Sequence, residues 1–452
     1  MTFGSRIDRR LLSHRDLMRF DSLSQWLSWQ ETLHPKKIDL GLDRCMPVVE
    51  RLGLRQTEFP LVTVAGTNGK GSVVAMLEAI LRAAGYRTGA YTSPHLVRYN
   101  ERICVNGMEV NDQMIMGSFE RIDDARESIS LTYFEFATLA GMDIFKRMGI
   151  DAAILEVGLG GRLDAVNLFD ADIALVTTVD IDHVRWLGND RESIGREKAG
   201  IFRSTRPAVY GDARPVKSLE KYAKKLGTPL FCLGREFSCT LHGESWDWYS
   251  EDRTWRCLPR PALAGSFQMF NASAALMALN LLSKRRPALS IPLTAVRRGL
   301  ETVRLPGRFQ ILPGPPERIL DVAHNPQAAK ALAELLQHRD SRGKTFIVLA
   351  MLSDKDIPAV VGLMKGLADI WYVADLNISR GASAAVLASA ILQKQASASI
   401  HLFQTISQAY LAALADAAAE DRLVVFGSFY AVGEILQLER NRSAATVAEI
   451  HD

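Results

Sequence analysis

The apolar positions of this chain follow two rhythms, and their order predicts most of the architecture. At 61–65 the run Leu-Val-Thr-Val-Ala is short, apolar and rich in β-branched residues, which predicts a buried strand. The run breaks at Gly66, and apolar residues then recur at helical spacing through Val73, Val74, Met76, Leu77, Ile80 and Leu81. The same succession repeats downstream. Residues 86–91, 151–156 and 173–179 predict further strands, each ending in a turn. The stretch RICVNG reads as strand-like, and a helical region containing LTYFEFATLAGMDIFKRM runs to about Arg147. Strands alternating with helices predict a parallel sheet with helices on both faces. Upstream, residues 22–54 predict two helices, SLSQWLSWQETL and LGLDRCMPVVERLGL, joined by a loop, and residues 1–20 predict a loose basic arm.

Past residue 229 the rhythm changes. Polar and aromatic residues alternate through 229–260, which predicts a β-ribbon, and a helix is expected from Asn271 to Lys284. The stretch Val303-Arg304-Leu305-Pro306-Gly307-Arg308 reads as a hinge, beyond which strands are expected at 319–321, 345–350, 371–374 and 423–427. The fold expected is α/β in two units. Residues 1–303 predict a P-loop-type parallel-sheet domain with a small β-ribbon insertion, and 304–452 a smaller C-terminal Rossmann-like α/β domain.

Composition narrows the choice of partners. A chain of 452 residues exceeds one ordinary core, and 48% apolar residues can fill more than one. A net charge of +3 gives no reason to expect nucleic acid or a membrane surface as partner. The five cysteines form no CxxC pair, as expected of buried thiols in a reducing compartment. The first residues hold no apolar core of a secretory signal, and no apolar stretch reaches membrane-spanning length, so a cytoplasmic protein is expected. No GxSxG or HExxH pattern supports a serine hydrolase or zincin.

Candidate chemistry gathers at predicted strand ends. Gly66-Thr67-Asn68-Gly69-Lys70-Gly71-Ser72 lies between strand and helix, where glycine backbone and a helix N-terminus cradle phosphate. Lys70 would reach the β and γ phosphates, and the Ser72 hydroxyl could meet Mg²⁺. The plainer reading is a glycine turn that only reverses the chain. Glu156 ends a strand before Gly158-Leu159-Gly160-Gly161, as a magnesium-holding carboxylate or a solvated strand-end acid. His183, after Asp180 and Asp182, is equally a structural histidine or part of a second metal site. Ser93, with His95 beyond it, reads as a proline-containing turn, and Lys198 as a surface lysine. Asp321-Val322-Ala323-His324-Asn325-Pro326 either caps a helix or presents Asp321 and His324 to a nucleotide. Two units, one of them carrying triphosphate and metal, point to phosphoryl transfer with a closing cleft.

Read together, GTNGKGS (66–72), TSPHLVRYNERI (92–103), EVGLGGRLDAVN (156–167), DH and WLG within 182–188, SIGREKAGI (193–201), LPGR (305–308), DVAHNP (321–326) and LSDKDI (352–357) resemble the folylpolyglutamate synthase/dihydrofolate synthase family of the Mur ligase superfamily. The resemblance spans about residues 22–437, and the entrance segment 38–54 looks like the bifunctional form. It implies ATP-dependent ligation of L-glutamate to dihydropteroate and to reduced folates such as tetrahydrofolate, through an acyl phosphate. It implies that Gly66, Thr67, Asn68, Gly69, Lys70, Gly71 and Ser72 hold ATP with Asn271, Arg308 and Asp321. It further implies Ser93, Glu156 and His183 as Mg²⁺ ligands, K⁺ as an additional cation, a carbamylated Lys198, Asp164 at the pterin, and His324 near the glutamate. A monomer is implied. The chain departs from the family pattern at Val184, Phe267 and Tyr430. The alternatives are a cell-wall Mur-type ligase, for which about 60 residues before the loop leave no room for a uridine-binding domain, and a P-loop nucleotide-binding protein without ligase activity, which would not need the second unit.

Overall fold

The computed structural model of the chain describes residues 19–36 and 38–451, with side chains to residue 443. Nearly all of the arm expected at 1–20 lies outside the described residues. The first sheet has eight strands: β1 (Leu61–Ala65), β2 (Thr88–Tyr91), β3 (Ile103–Val105), β4 (Met108–Glu109), β5 (Ala152–Glu156), β6 (Ile173–Val176), β7 (Ala208–Tyr210) and β8 (Leu230–Cys232). Their order is β4-β3-β2-β5-β1-β6-β7-β8, parallel from β2 to β8, with β3 and β4 antiparallel at one edge. All five residues of β1 are buried, and they divide by parity between two cores. Leu61 and Ala65 face one core, with Trp26, Phe119 and Phe136. Val62 and Val64 face the other, with Leu77, Leu276 and the ribbon tryptophans Trp246 and Trp248. Period-two alternation on a sheet covered on both faces produces this continuous apolar run. Each fully buried Val or Leu contributes about 1.5–3 kcal/mol.

β9 (Phe237–His242), β10 (Ser245–Ser250) and β11 (Thr254–Pro259) form the three-stranded antiparallel ribbon. Residues 230–232, expected in the ribbon, instead extend the first sheet as β8. The second sheet holds β12 (Gln310–Leu312), β13 (Glu317–Leu320), β14 (Thr345–Leu349), β15 (Ile370–Ala374), β16 (Ser399–Phe403) and β17 (Arg422–Phe426), in the order β12-β13-β17-β14-β15-β16. Its central strand β14 sorts the same way, Ile347 and Leu349 to one core and Phe346 and Val348 to the other.

Several expected elements change at their ends. The helix expected over 40–54 shortens to Met46–Arg51. Pro47 near its start has no amide hydrogen and restricts the residue before it, so the helix cannot extend upstream, and Gly53 at φ 64° ends it. RICVNG divides into β3 and an Asn106-Gly107 turn, both residues at positive φ, leading into β4. The strand expected to reach Val179 stops at Val176, opposite Ala65 where β1 itself gives way to the glycine loop, and the Thr177 hydroxyl beyond it donates to the Asn68 carbonyl at 2.6 Å. The helix expected from Asn271 starts earlier, at Gln268.

Candidate active site

The neighbours β2, β5, β1 and β6 release their carboxyl ends side by side, which is where open parallel sheets bind ligands. After β1 the chain turns into the helix Lys70–Ala83, whose N-cap is Gly69 at φ 87°. A Cβ at Gly69 would lie 2.6 Å from Asn271 Oδ1, and one at Gly66 would lie 1.8 Å from Thr177 Oγ1. Only glycine fits either place. The loop is anchored from β6: Thr67 N donates to Thr178 O at 2.8 Å, and Asn68 N to Thr178 Oγ1 at 3.2 Å. Lys70 Nζ folds back on the carbonyls of Gly66 and Thr67 at 3.0 and 3.2 Å. Burial lowers its pKa, opposed by Glu156 and Asp182.

From β5 comes Glu156, buried, with Oε2 accepting from Ser93 N at 3.2 Å. Burial raises its pKa, and Lys70, the Ser93 amide and Arg308 pull it back. From β2 comes Ser93, joined to Pro94 by a cis peptide. After β6 comes His183, a non-glycine residue at φ 52°. Its side chain is 38% exposed, yet desolvation by the cleft walls holds its pKa down, at about 4, so the ring is neutral with a lone pair to offer. The carboxylate of Glu156, the imidazole of His183 and the hydroxyl of Ser93 are oxygen and nitrogen donors of types that divalent cations accept, and all three line one cavity.

Lys198 corrects the surface reading. It is 3% exposed on the helix Arg191–Ala199, and burial, then Lys70, lower its pKa to about 7. On the helix Gln268–Arg285, Asn271 donates to Gln268 at 2.9 Å, which donates to Ser72 Oγ at 3.3 Å. Asp164 is buried, accepting from the amides of Leu159 and Val166 at 2.8 and 3.0 Å, and burial pushes its pKa up to about 7.

The second sheet reaches across. Arg308 Nη2 and Glu156 Oε2 come within 4.0 and 3.9 Å of where a Cβ on Gly71 would sit. Asp321 accepts from the amides of Phe309 and Ala323, both at 2.8 Å, so it orders the turn that carries Arg308. Asn325 caps the helix Pro326–Gln337 and also donates to Asn68 and Asp182 at 3.1 Å each. His324 shares a hydrogen bond between Nδ1 and the Val322 carbonyl, and its Nε2 lies 3.7 Å from Asp182.

Two cavities adjoin. One, of ≈ 1010 Å³, is lined by residues 66–72, Ser93, Glu156, His183, Lys198, Asn271, Arg308, Asp321 and His324. The other, of ≈ 1340 Å³, holds Asp164 with Phe134 and Thr132, and shares Ser93, Leu159, Asp182 and His183 with the first. The structure thus gathers all the nucleotide and metal candidates in one cavity and sets Asp164 apart in the next. His95 lines neither; it bonds Arg102. Phe267 and Tyr430 line the first cavity and Val184 the second.

Sequence reading missed Lys355, which is 5% exposed and meets Asp182 at 2.6 Å, although it lies within LSDKDI. It also missed Thr177 and Thr178, which brace the loop and carry no motif of their own.

The family description "Mur ligase middle domain" matches residues 64–279, and "Mur ligase, glutamate ligase domain" matches 307–429. The chain is 44% identical over 416 residues to the dihydrofolate synthase/folylpolyglutamate synthase of Escherichia coli, covering 92% of this chain and 95% of that one. It superposes on E. coli FolC in complex with DHPP and ADP with a TM-score of 0.88 at 43% identity, covering 94% and 99% of the two chains. A bifunctional folylpolyglutamate synthase/dihydrofolate synthase with Mn, AMPPNP and L-glutamate bound matches with a TM-score of 0.85 at 41% identity, covering 93% and 98%.

Proposed function

The chain belongs to the dihydrofolate synthase/folylpolyglutamate synthase family of Mur ligases, and from that premise we propose which of its residues carry the reaction. The enzyme is an ATP-dependent ligase that joins L-glutamate to dihydropteroate, giving dihydrofolate, and to the γ-carboxylate of reduced folates, through an acyl phosphate. The observation that supports our assignment is the junction of the two cavities at Ser93 and His183. One cavity has the glycine cradle of a triphosphate site. The other offers a carboxyl side chain, Asp164, and an aromatic ring, Phe134, to a flat polar heterocycle.

ATP lies in the first cavity, its phosphates on the amides of 66–72 and on Lys70, with Asn271 and Arg308 along it and Asp321 fixing the Arg308 turn. Ser93, Glu156 and His183 would hold Mg²⁺. When bound, it offsets negative charge on the transferring phosphoryl group. An oxygen of the acid's carboxylate attacks the γ-phosphorus, and the bond to the β,γ-bridging oxygen breaks as ADP leaves with its electron pair. The glutamate amine then attacks the acyl carbon, and inorganic phosphate departs. His324, whose Nδ1 is engaged with Val322, presents Nε2 to take the proton from the glutamate ammonium, with Asp182 stabilising the imidazolium.

A buried Lys198 near neutrality is the form that can attack carbon dioxide: a nitrogen–carbon bond forms, the nitrogen loses a proton to water, and a carbamate anion remains. It would turn a buried cation into a carboxylate beside Lys70. A domain boundary at 303/304 is supported by the passage there from a helix packed on the phosphate-loop helix to β12 of the second sheet. K⁺ as an additional cation, a monomer and a cytoplasmic setting complete the reading; the five free cysteines support the last. Phosphate release from MgATP should require a pterin acid and L-glutamate together. Release independent of any pterin would contradict the assignment.

A further inference from the structure

The wall of the second cavity holds a cation that, among the described residues, has no ion-pair partner. Arg102 is 8% exposed and lines that cavity, close enough to Glu156 to weigh on its charge. Its Nε donates to His95 Nδ1 at 2.8 Å, and its guanidinium carbon lies 5.5 Å from the ring centres of both Tyr99 and Tyr133. Among the described residues no carboxylate lies within ion-pair distance of it. The acids around the same cavity are engaged: Asp39 and Glu135 by Arg44, Asp182 by Lys355, Asp354 by Arg380, Asp180 by Arg214, and Asp164 by backbone amides. Asp356 caps a helix.

A buried guanidinium without a counter-ion is costly unless an anion arrives. We propose that Arg102 binds the carboxylate of the pterin acid, with His95 and the two tyrosines fixing its orientation. This rests on the second cavity being the pterin-acid site. One carboxylate oxygen accepts from the guanidinium, which leaves the other free to attack the γ-phosphorus across the Ser93 boundary. The side chain lies on the acid's side of that boundary and lines the second cavity alone, so the arrangement selects the acid over ATP. In β3 the Ile103 backbone pairs with Tyr91, so the residue before it is held at the strand end beside Ser93.

The test compares 7,8-dihydropteroate with its decarboxylated counterpart, binding to the whole enzyme at saturating ADP. Wild type should prefer the acid by about 10- to 100-fold, the range for a charge-assisted hydrogen bond, and Arg102→Gln should lose most of that preference. In turnover, the KM for dihydropteroate should rise by a similar factor while the KM values for ATP and L-glutamate hold, and Arg102→Lys should recover part of the loss. A preference for the acid that survives in Arg102→Gln, or a change confined to the glutamate KM, overturns the proposal. If Arg102→Gln no longer binds ADP, the wild-type comparison decides, because equal affinity for the two compounds also overturns it. A wild type that binds neither compound would instead remove the pterin reading of the cavity.

Discussion

The two sides of the nucleotide cavity are built by different means. On one side, four adjacent parallel strands deliver the phosphate loop, Ser93, Glu156 and His183 from their carboxyl ends, and local backbone bonds hold each in place. On the other, the second sheet contributes through a few side chains that cross the gap: Asn325 to Asn68 and Asp182, Lys355 to Asp182, and Arg308 towards Gly71. The first side is fixed by the fold of one sheet. The second depends on the two sheets staying docked, so removing one crossing side chain should weaken turnover by degrees, whereas substitutions on the first side should abolish it.

The sharpest way to break this contrast is Glu156→Ala. Loss of a buried carboxylate where charge moves should cut turnover by about 10³-fold while thermal unfolding changes little. Near-normal turnover would remove Glu156 from the site. Lys355→Met, on the crossing side, should lower kcat/KM by about 10- to 100-fold, since Asp182 loses its closest cation. A loss equal to that of Glu156→Ala would erase the distinction between the two sides.

A third measurement probes burial rather than catalysis. With its pKa near 7 in the fold against an ordinary 10.5, Lys198 holds a proton in the unfolded chain that the folded one lacks across that window. Stability should therefore rise with pH there, and in carbon-dioxide-free buffer wild type should gain about 2 kcal/mol over Lys198→Met between pH 7 and 9. Parallel pH curves for the two proteins would return Lys198 to the surface. The smallest effect is expected far from both sides: Leu241→Thr, on the exposed ribbon, should change stability by less than about 0.5 kcal/mol and leave turnover unaltered.

The same contrast explains what could be read in the sequence. Strands β1, β5 and β14 were legible because burial on both faces makes an unbroken apolar run. The edge strands β12 and β16 were not, because one side of each faces solvent and the pattern is mixed. The phosphate loop and Glu156 announce themselves through neighbouring glycines at strand ends. Lys198 reads as an ordinary surface lysine because its burial comes from distant segments, and Lys355 pairs with Asp182 across 173 positions. Pairings made across the docked sheets leave no local periodicity to read.

The most direct test of the central claim, that the acid is activated by phosphoryl transfer where the two cavities meet, follows an oxygen atom. Dihydropteroate labelled with ¹⁸O in its carboxylate is incubated with enzyme, MgATP and L-glutamate, and the inorganic phosphate released is analysed by mass. Transfer through an acyl phosphate predicts that each phosphate carries one labelled oxygen from the acid. Unlabelled phosphate released alongside labelled product would contradict it.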